Sequence, residues 1–507
     1  MADTVTLHTP TARRWLLTVA SADVLLVISS MVALNAALPD IARQTAATQA
    51  QLTWIVDGYT VALACLLLPA GALGDRYGRR GALLFGLAVF ALASAAPTVF
   101  DSPAQLIVAR AGAGLGAAFV MPATLSLLTS AFPKAERNKA IGIWAGVAGS
   151  GAIIGFLGTG VLLQHFPWPS VFVALAAAAV LLVVPTMTIA SSRDPAATPI
   201  DWPGGALIAA AIAAVVVGVI EAPARGWTDP WVLGVLAAGV ALAVAFTVVE
   251  LRRAHPLLDV RLFGRPDFAT GAVGIIFLFA ANFGFFFIVM QFMQLVLEYT
   301  ALQTAFALAP LVVPVMALSA TTHFWLPWLG LRWSVTTGLL LIAAGLLCMR
   351  LPGTDAAYVD VMWPMLIIAA GVGLCTAPTT SAIMTAVPDE KQGVASAVND
   401  ATREVGAALG IAIAGSILAA SYRSALAPRL TGFDEQVRST ATDSLAYALS
   451  LAARIGPQGR ELADLARAGF LHAADQALLA LAVLLVVAAV FVAAWAPGRD
   501  GRQLFRR

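Results

Sequence analysis

The 507-residue chain is 60% hydrophobic and 11% charged, with a mean hydropathy of +0.86. That balance excludes an ordinary soluble globular domain. A formal net charge of +2 carries little by itself and no nucleic-acid partner is expected; the informative quantity is where the basic residues sit.

Fourteen apolar stretches follow one another, near residues 15–39, 51–73, 81–99, 104–130, 139–164, 168–190, 203–222, 229–250, 268–297, 301–326, 333–351, 358–385, 394–420 and 474–496. Each is close to the roughly 20 helical residues that cross the hydrocarbon of a bilayer. Backbone groups in lipid must be satisfied internally, so spans are helices or closed-barrel strands, and these stretches are too long and too little alternating for strands. The fold class is therefore all-α integral membrane with fourteen transmembrane helices. The first stretch is longer than a signal-peptide core and lacks a convincing cleavage site, so it is expected to be retained. Cys65, Cys348 and Cys375 all fall inside spans, a pattern that supports neither a disulfide framework nor a metal site.

Basic residues alternate between the loops. Arg13 and Arg14 precede the first span; then come Arg76, Arg79 and Arg80, Lys134, Arg137 and Lys139, Arg193, Arg252, Arg253, Arg261 and Arg265, Arg332, Lys391, and the tail Arg499, Arg502, Arg506 and Arg507. The short loops between these carry only Arg43, Arg225 and Arg350. Because Lys and Arg in short loops stay on the cytoplasmic side, both termini are expected there; the Ala- and Arg-rich usage points to a high-GC bacterium, and so to its plasma membrane.

The chain also reads as an internal duplication. Gly114-x-Gly116, Pro122 and Ala131-Phe132-Pro133 in span four are echoed by Gly371-x-Gly373, Pro378 and Ala386-Val387-Pro388 in span twelve, and a glycine-rich span follows each. Two repeats with a central site are a common plan for secondary transporters. The expected organisation is an N-terminal six-helix bundle over 1–198, two inserted helices and a linker over 199–265, and a C-terminal six-helix bundle over 266–507. The last bundle would carry an extracellular helical loop at about 421–472, with helical patches at 442–454 and 461–471 that read either as a hairpin over the extracellular mouth or as a lipid-surface pad.

The loop after span two reads Gly71-Ala-Leu-Gly-Asp75-Arg76-Tyr-Gly78-Arg79-Arg80, which resembles the signature of the major facilitator superfamily in that loop. The resemblance extends through Trp54-Ile-Val-Asp57-Gly-Tyr59, Arg110-Ala-Gly-Ala-Gly114, Pro256-Leu-Leu-Asp259-Val-Arg261-Leu-Phe263, Gln291-Phe-Met-Gln294-Leu-Val-Leu and Asn399-Asp400-Ala-Thr-Arg403-Glu404-Val-Gly406. With fourteen spans the chain is similar to the QacA/EmrB-like drug:proton antiporters. That resemblance implies a major facilitator fold of two six-helix bundles, no enzymatic activity, and efflux of hydrophobic, often cationic compounds driven by proton entry. Departures from the branch are Ser30 where an acid is usual before Asn35-Ala-Ala-Leu38-Pro39, Gly155-Phe156 where Gly-Pro is usual, and Trp168-Pro169-Ser170 at the start of span six.

Ionisable residues at membrane depth are costly and are the first functional candidates. Asp57 and Arg110 lie at matching depths, so an Asp57–Arg110 pair is expected to act as a proton switch or, failing that, as a static ion pair. Asp23 lies nearly two turns before Ser30 on the same face; it either takes over the acidic role or snorkels to headgroups. Asp400, Arg403 and Glu404 share one face of span thirteen, with one acid in surplus, as a second proton or cation site, or as a solvated group near the cytoplasmic mouth. The resemblance implies that Gly71, Asp75, Arg76, Gly78 and Arg79 of the loop signature form a gating element that latches the cytoplasmic side, with Asp75 able to face the positive N-terminus of span thirteen near Gly393. Gly142, Gly146, Gly151 and Gly155 fit close packing at the interface of the halves. Asn282, Phe283, Phe286 and Met290 are candidates for an adaptable apolar cavity wall.

The expectation drawn together is a proton-coupled exporter of hydrophobic, in one reading cationic, drugs or natural products, working by alternating access as a monomer, with no cofactor besides the proton and with lipid as its surroundings. Export of lipids or lipid conjugates is the rival within transport, and a sensor or scaffold without flux the rival outside it. No nucleotide-binding, catalytic or metal-ligand constellation is present in the sequence.

Overall fold

The computed structural model describes residues 9–498 apart from 46, 101, 195–198, 351–352, 354–356 and 456–457. The basic tail Arg499, Arg502, Arg506 and Arg507 lies outside the described residues. The described chain is helical throughout its spans, fourteen in number: Pro10–Ala36, Gln51–Tyr77, Arg79–Thr98, Pro103–Ala131, Lys134–His165, Pro169–Thr188, Trp202–Arg225, Pro230–Arg252, Pro266–Val296, Ala301–Ala320, Thr322–Cys348, Tyr358–Thr385, Asp389–Leu430 and Gln458–Trp495. These are called spans one to fourteen.

Local chemistry sets where the helices begin. Thr48 with Gln51, Ser102 with Gln105 and Thr300 with Gln303 form reciprocal capping boxes at the starts of spans two, four and ten. Asp201 and Asp229 cap the inserted spans seven and eight, each followed by a proline in the first turn. These caps take up N–H groups that the helix itself leaves without partners.

Two six-helix sets pack in one pattern. Span one lies on five, two on four, and three on four and six; span nine lies on thirteen, ten on twelve, and eleven on twelve and fourteen. Glycines let the backbones approach. A Cβ on Gly155 would stand 2.5 Å from Ser29 Cα of span one, and one on Gly406 2.5 Å from the Ile276 carbonyl of span nine. The halves meet along two seams, one where span two meets thirteen and one where span five meets ten and twelve. Spans seven and eight pack on each other, and span seven leans on both span two and span thirteen. Val216 and Val219 of span seven bury there against Ala64, Ala408 and Ala412, so the insert covers the first seam rather than standing apart.

Both described chain ends lie at one end of the bundle, here called the basic end. Arg13 pairs with Glu136 in the first turn of span five at 3.0 Å, and Arg332, just after the Gly330 position of span eleven, donates to the Ala496 carbonyl at 2.9 Å.

Several boundaries differ from the sequence reading. Span ten stops at Ala320, and the next helix carries a kink at Gly330 (φ 70°, ψ 167°), a left-handed-side conformation that suits only glycine. Span nine ends in a π-helical turn, Phe292–Val296. The segment between spans thirteen and fourteen contains helices Glu435–Asp443 and Leu445–Ala452; the second of these packs on the patch expected at 461–471, which is helical but continuous with the last span, starting at Gln458. Arg467 on that extension pairs with Glu298 after span nine and ties the cap to the bundle.

Candidate functional site

The signature loop is assembled at the basic end, across the first seam. Span two ends at Gly78, whose φ of 116° no other residue adopts easily, and the chain turns directly into span three. Asp75, buried, accepts from the N–H groups of Gly393 (2.9 Å) and Val394 (3.1 Å) at the start of span thirteen. A carboxylate on a helix N-terminus is favoured by both the free N–H donors and the helix dipole. Arg79 donates Nε to Asp75 at 2.8 Å and reaches the Asp389 and Glu390 carbonyls with its far nitrogen. Gly71 allows the contact, since a Cβ there would stand 2.5 Å from the Gly393 carbonyl. Arg76 lies over the Tyr77 ring. Arg137 adds a two-pronged pair with Asp389 (2.9 and 3.1 Å), and Ser381 donates to Asn138 at 2.6 Å. All of these hold the two halves together, so the basic end is shut.

Deeper in the bundle the expected Asp57–Arg110 pair is not formed. Arg110 is buried and spends its donors on neutral groups: Ser30 Oγ (3.0 Å), the Ser30 carbonyl (3.2 Å) and the Ile55 carbonyl (3.2 Å), with the Tyr59 ring 4.3 Å from its guanidinium. The reason is helical phase. Ile55 and Tyr59 are one turn apart and share a face, whereas Asp57 stands about 200° round the helix from each. Asp57 is turned instead toward span seven, where Glu221 is its electrostatic neighbour. Glu221 is itself paired with Arg225 at 2.8 Å.

Asp23 is wholly buried, which rules out snorkelling to headgroups; it accepts from Thr186 of span six at 3.4 Å, and its second oxygen has no partner. Asn35 sits exposed on a short 3-10 turn at the far end of span one, away from the charged layer.

Asp400, Arg403 and Glu404 are brought together and buried, so the solvated-mouth reading is overturned. Arg403 lies between the Trp144 ring of span five (5.1 Å) and the Phe279 ring of span nine (5.2 Å), donates to Thr380 at 3.1 Å, and stands 4.0 Å from Asp400. Trp144 is held by its own bond to Thr124 at 3.2 Å. One oxygen each of Asp400 and Glu404, and Arg403 Nε, find no partner. Buried polar groups are normally satisfied, so these atoms mark a place suited to a proton, a water or a polar ligand group.

Phe279, Asn282, Phe283, Phe286 and Met290 form one half-buried stripe on span nine, with Phe279 and Phe283 stacked at 6.1 Å. The span-five glycines serve two different contacts. Gly142 and Gly146 meet span ten of the other half at Ser319 and Met316, as expected, but Gly151 and Gly155 meet Ile28 and Ser29 of span one in their own half. The sequence reading missed Tyr59, Trp144, Thr380 and Glu221 as parts of the site, and Arg137 and Asp389 as parts of the gate. Of these only Tyr59, one turn from Ile55, carried a periodicity signal. Among the described residues no group of three or more His, Cys, Asp or Glu could hold a metal ion.

A membrane bundle of two similar six-helix halves, shut at one end by a loop signature on a helix N-terminus and carrying buried charges between the halves, defines a transporter rather than an enzyme. The chain belongs to the Major Facilitator Superfamily, whose family model matches residues 24–411. It is 32% identical over 501 residues to the multidrug efflux pump LfrA of Mycolicibacterium smegmatis, covering 96% of this chain and 97% of that protein. It is 34% identical over 398 residues to the multidrug resistance protein Stp of Mycobacterium tuberculosis (78% and 74% covered). Against the methyl viologen resistance protein SmvA of Salmonella typhimurium the identity is 31% over 467 residues (90% and 93%). The crystal structure of the human organic anion transporter MFSD10 superposes with a TM-score of 0.62 at 14% identity, covering 96% of this chain and all of that one, a likeness of fold.

Proposed function

We propose that the protein is a proton-coupled exporter of hydrophobic small molecules, drugs or natural products, working by alternating access in a bacterial plasma membrane with the basic end in the cytoplasm. The relatives named for multidrug efflux and for resistance support the substrate class. The observation that carries the coupling is the span-thirteen cluster, where two buried carboxyl groups share one guanidinium and each keeps an oxygen without a partner. Such a group gains or loses a proton according to how close its counter-charge and water stand. In the closed-basic-end state Arg403 is clasped between rings of both halves, so separating the halves changes the surroundings of both acids. The half-buried aromatic stripe of span nine, ending at Arg403, supplies an apolar wall beside that charge. Purified protein in vesicles, given an imposed proton gradient and a hydrophobic cationic dye, should accumulate dye against its gradient. Glu404→Gln should abolish gradient-driven movement while dye still binds. Dye movement that ignores the proton gradient would overturn coupling, and absence of dye movement with binding of lipid conjugates instead would redirect the substrate class.

A further inference from the structure

The motif Pro256-Leu-Leu-Asp259 lies outside the Asp75 contact and the charged layer, yet it ends at a buried junction of two acids. Asp201, the N-cap of span seven, accepts at Oδ1 from the Gly204 N–H at 3.0 Å. Glu250, in the last turn of span eight, accepts at Oε2 from the Leu258 N–H at 3.1 Å. Both side chains are more than nine-tenths buried, and the remaining oxygens, Asp201 Oδ2 and Glu250 Oε1, find no donor. Those two atoms converge over Gly204. A Cβ there would overlap Glu250 Oε1 and stand 3.1 Å from Asp201 Oδ2, so glycine is what lets the two carboxyl groups converge at this point.

Two ionised carboxylates cannot share such a space without a cation or a proton. The charged groups around the pair are few. Arg253 holds Nε 3.6 Å from Asp201 Oδ2 with a half-exposed side chain, and Asp201 is the charged neighbour that acts on Glu250. Span two meets this corner with Pro69, and the linker meets it with Leu257 and Leu258 while turning Asp259 back onto its own Arg261 N–H. Arg253 compensates Asp201, and nothing described compensates Glu250.

We propose that Asp201 and Glu250 together hold one proton, and that this pair is a proton-binding site, separate from the transport pathway, which fixes the linker to the basic end of the bundle. The proton resides on Glu250 Oε1 and is donated to Asp201 Oδ2; Glu250 Oε2 remains the acceptor for Leu258. One proton thereby satisfies both orphan oxygens. The consequence reaches the gate, because Lys391 donates to the Pro256 carbonyl of the same linker at 2.9 Å and stands two residues before Gly393, the partner of Asp75. Loss of the proton sets two carboxylates against each other, loosens the linker and weakens the support of the span-thirteen N-terminus. The site is independent of what the transporter carries.

The test uses the full-length protein in lipid nanodiscs. Trypsin cleavage at the linker arginines, normalised to an unstructured substrate at the same pH, reads how firmly the linker is held. In the wild type, cleavage should accelerate by up to about tenfold per pH unit above the titration of the pair, the limit for a single proton. Glu250→Gln, whose amide donates to Asp201 without titrating, should keep the slow rate at every pH. It should also remove one protonated-carboxyl band from the infrared spectrum. If Glu250→Gln fails to fold, Asp201→Asn replaces it, since its amide can donate to Glu250 Oε1, and the same flat profile is expected. A wild-type rate that does not change with pH overturns the proposal, as does a variant that keeps the wild-type profile. A rate that follows sodium or potassium rather than pH overturns it in favour of a metal cation.

Discussion

A guanidinium inside a membrane bundle is tolerable only where its donors find acceptors, and Arg110 finds them on a hydroxyl and two backbone carbonyls rather than on a carboxylate. Ser30 is thus the direct partner of Arg110, not a vacancy left by an acid. This assignment makes an energetic prediction. Residues in contact couple, by about 0.5–3 kcal/mol, whereas separated ones add to within about 0.5 kcal/mol. A double-mutant cycle of Ser30→Ala with Arg110→Lys, read by denaturation in detergent, should show coupling of about 1 kcal/mol, and Asp57→Asn with Arg110→Lys should be additive. Additivity in the first cycle, or strong coupling in the second, would restore the Asp57 pairing. Asp57 remains available for a different task, beside Glu221 of the inserted span seven.

The glycine-rich spans show what an element can and cannot tell from its letters. Gly116 and Gly371 pack on spans three and eleven, and Gly151 and Gly155 on span one as Gly406 and Gly410 do on span nine; the members of each pair are equally far apart along the chain. The duplication was therefore legible, but matching Gly114-x-Gly116 to Gly371-x-Gly373 slipped it by two residues. Span number and helical type were equally legible, because bilayer thickness fixes them. Helical faces were not. Depth placed Asp57 beside Arg110, while phase turned it away, and a glycine spacing gives no hint of which neighbour fills it. The two glycine sets of span five should respond differently to a methyl group, each at an overpacking cost of about 1–3 kcal/mol. Gly155→Ala presses on Ser29 within one half and should lower thermal stability in every conformation. Gly142→Ala presses on Ser319 of the other half and should instead shift the population toward an open basic end, visible as longer spin-label distances across that end with little loss of stability. Equal loss of stability in both variants would contradict the division of faces.

At the scale of the molecule, the contacts that join the halves at the basic end are polar and discrete, namely Asp75 on Gly393 and Val394, Arg79 on the Asp389 and Glu390 carbonyls, Arg137 on Asp389, and Asn138 with Ser381. Individually such bonds contribute about 1 kcal/mol net, so together they can close an end and still be released. Backbone-close approaches occur within each half, as at Gly155 on Ser29 and Gly406 on Ile276, and also across the seams, as at Gly71 on Gly393 and Gly142 on Ser319. On the alternating-access reading proposed above, each half would move as a body and the polar contacts of the seams would be the ones that break. On that reading span seven, which buries against both halves, would have to slide on one of them when the basic end opens. A covalent lock across the second seam tests the scheme. A Cβ on Gly146 stands 3.3 Å from Ser319 Cβ, with only the flexible Met316 side chain nearer, close to the roughly 3.5–4.5 Å that a disulfide needs. In a background with Cys65, Cys348 and Cys375 replaced by serine, Gly146→Cys with Ser319→Cys should cross-link under mild oxidant. Transport in vesicles should then stop and return on reduction. Undiminished transport by the fully cross-linked protein would mean that spans five and ten never separate, and rocking of the halves would have to be abandoned.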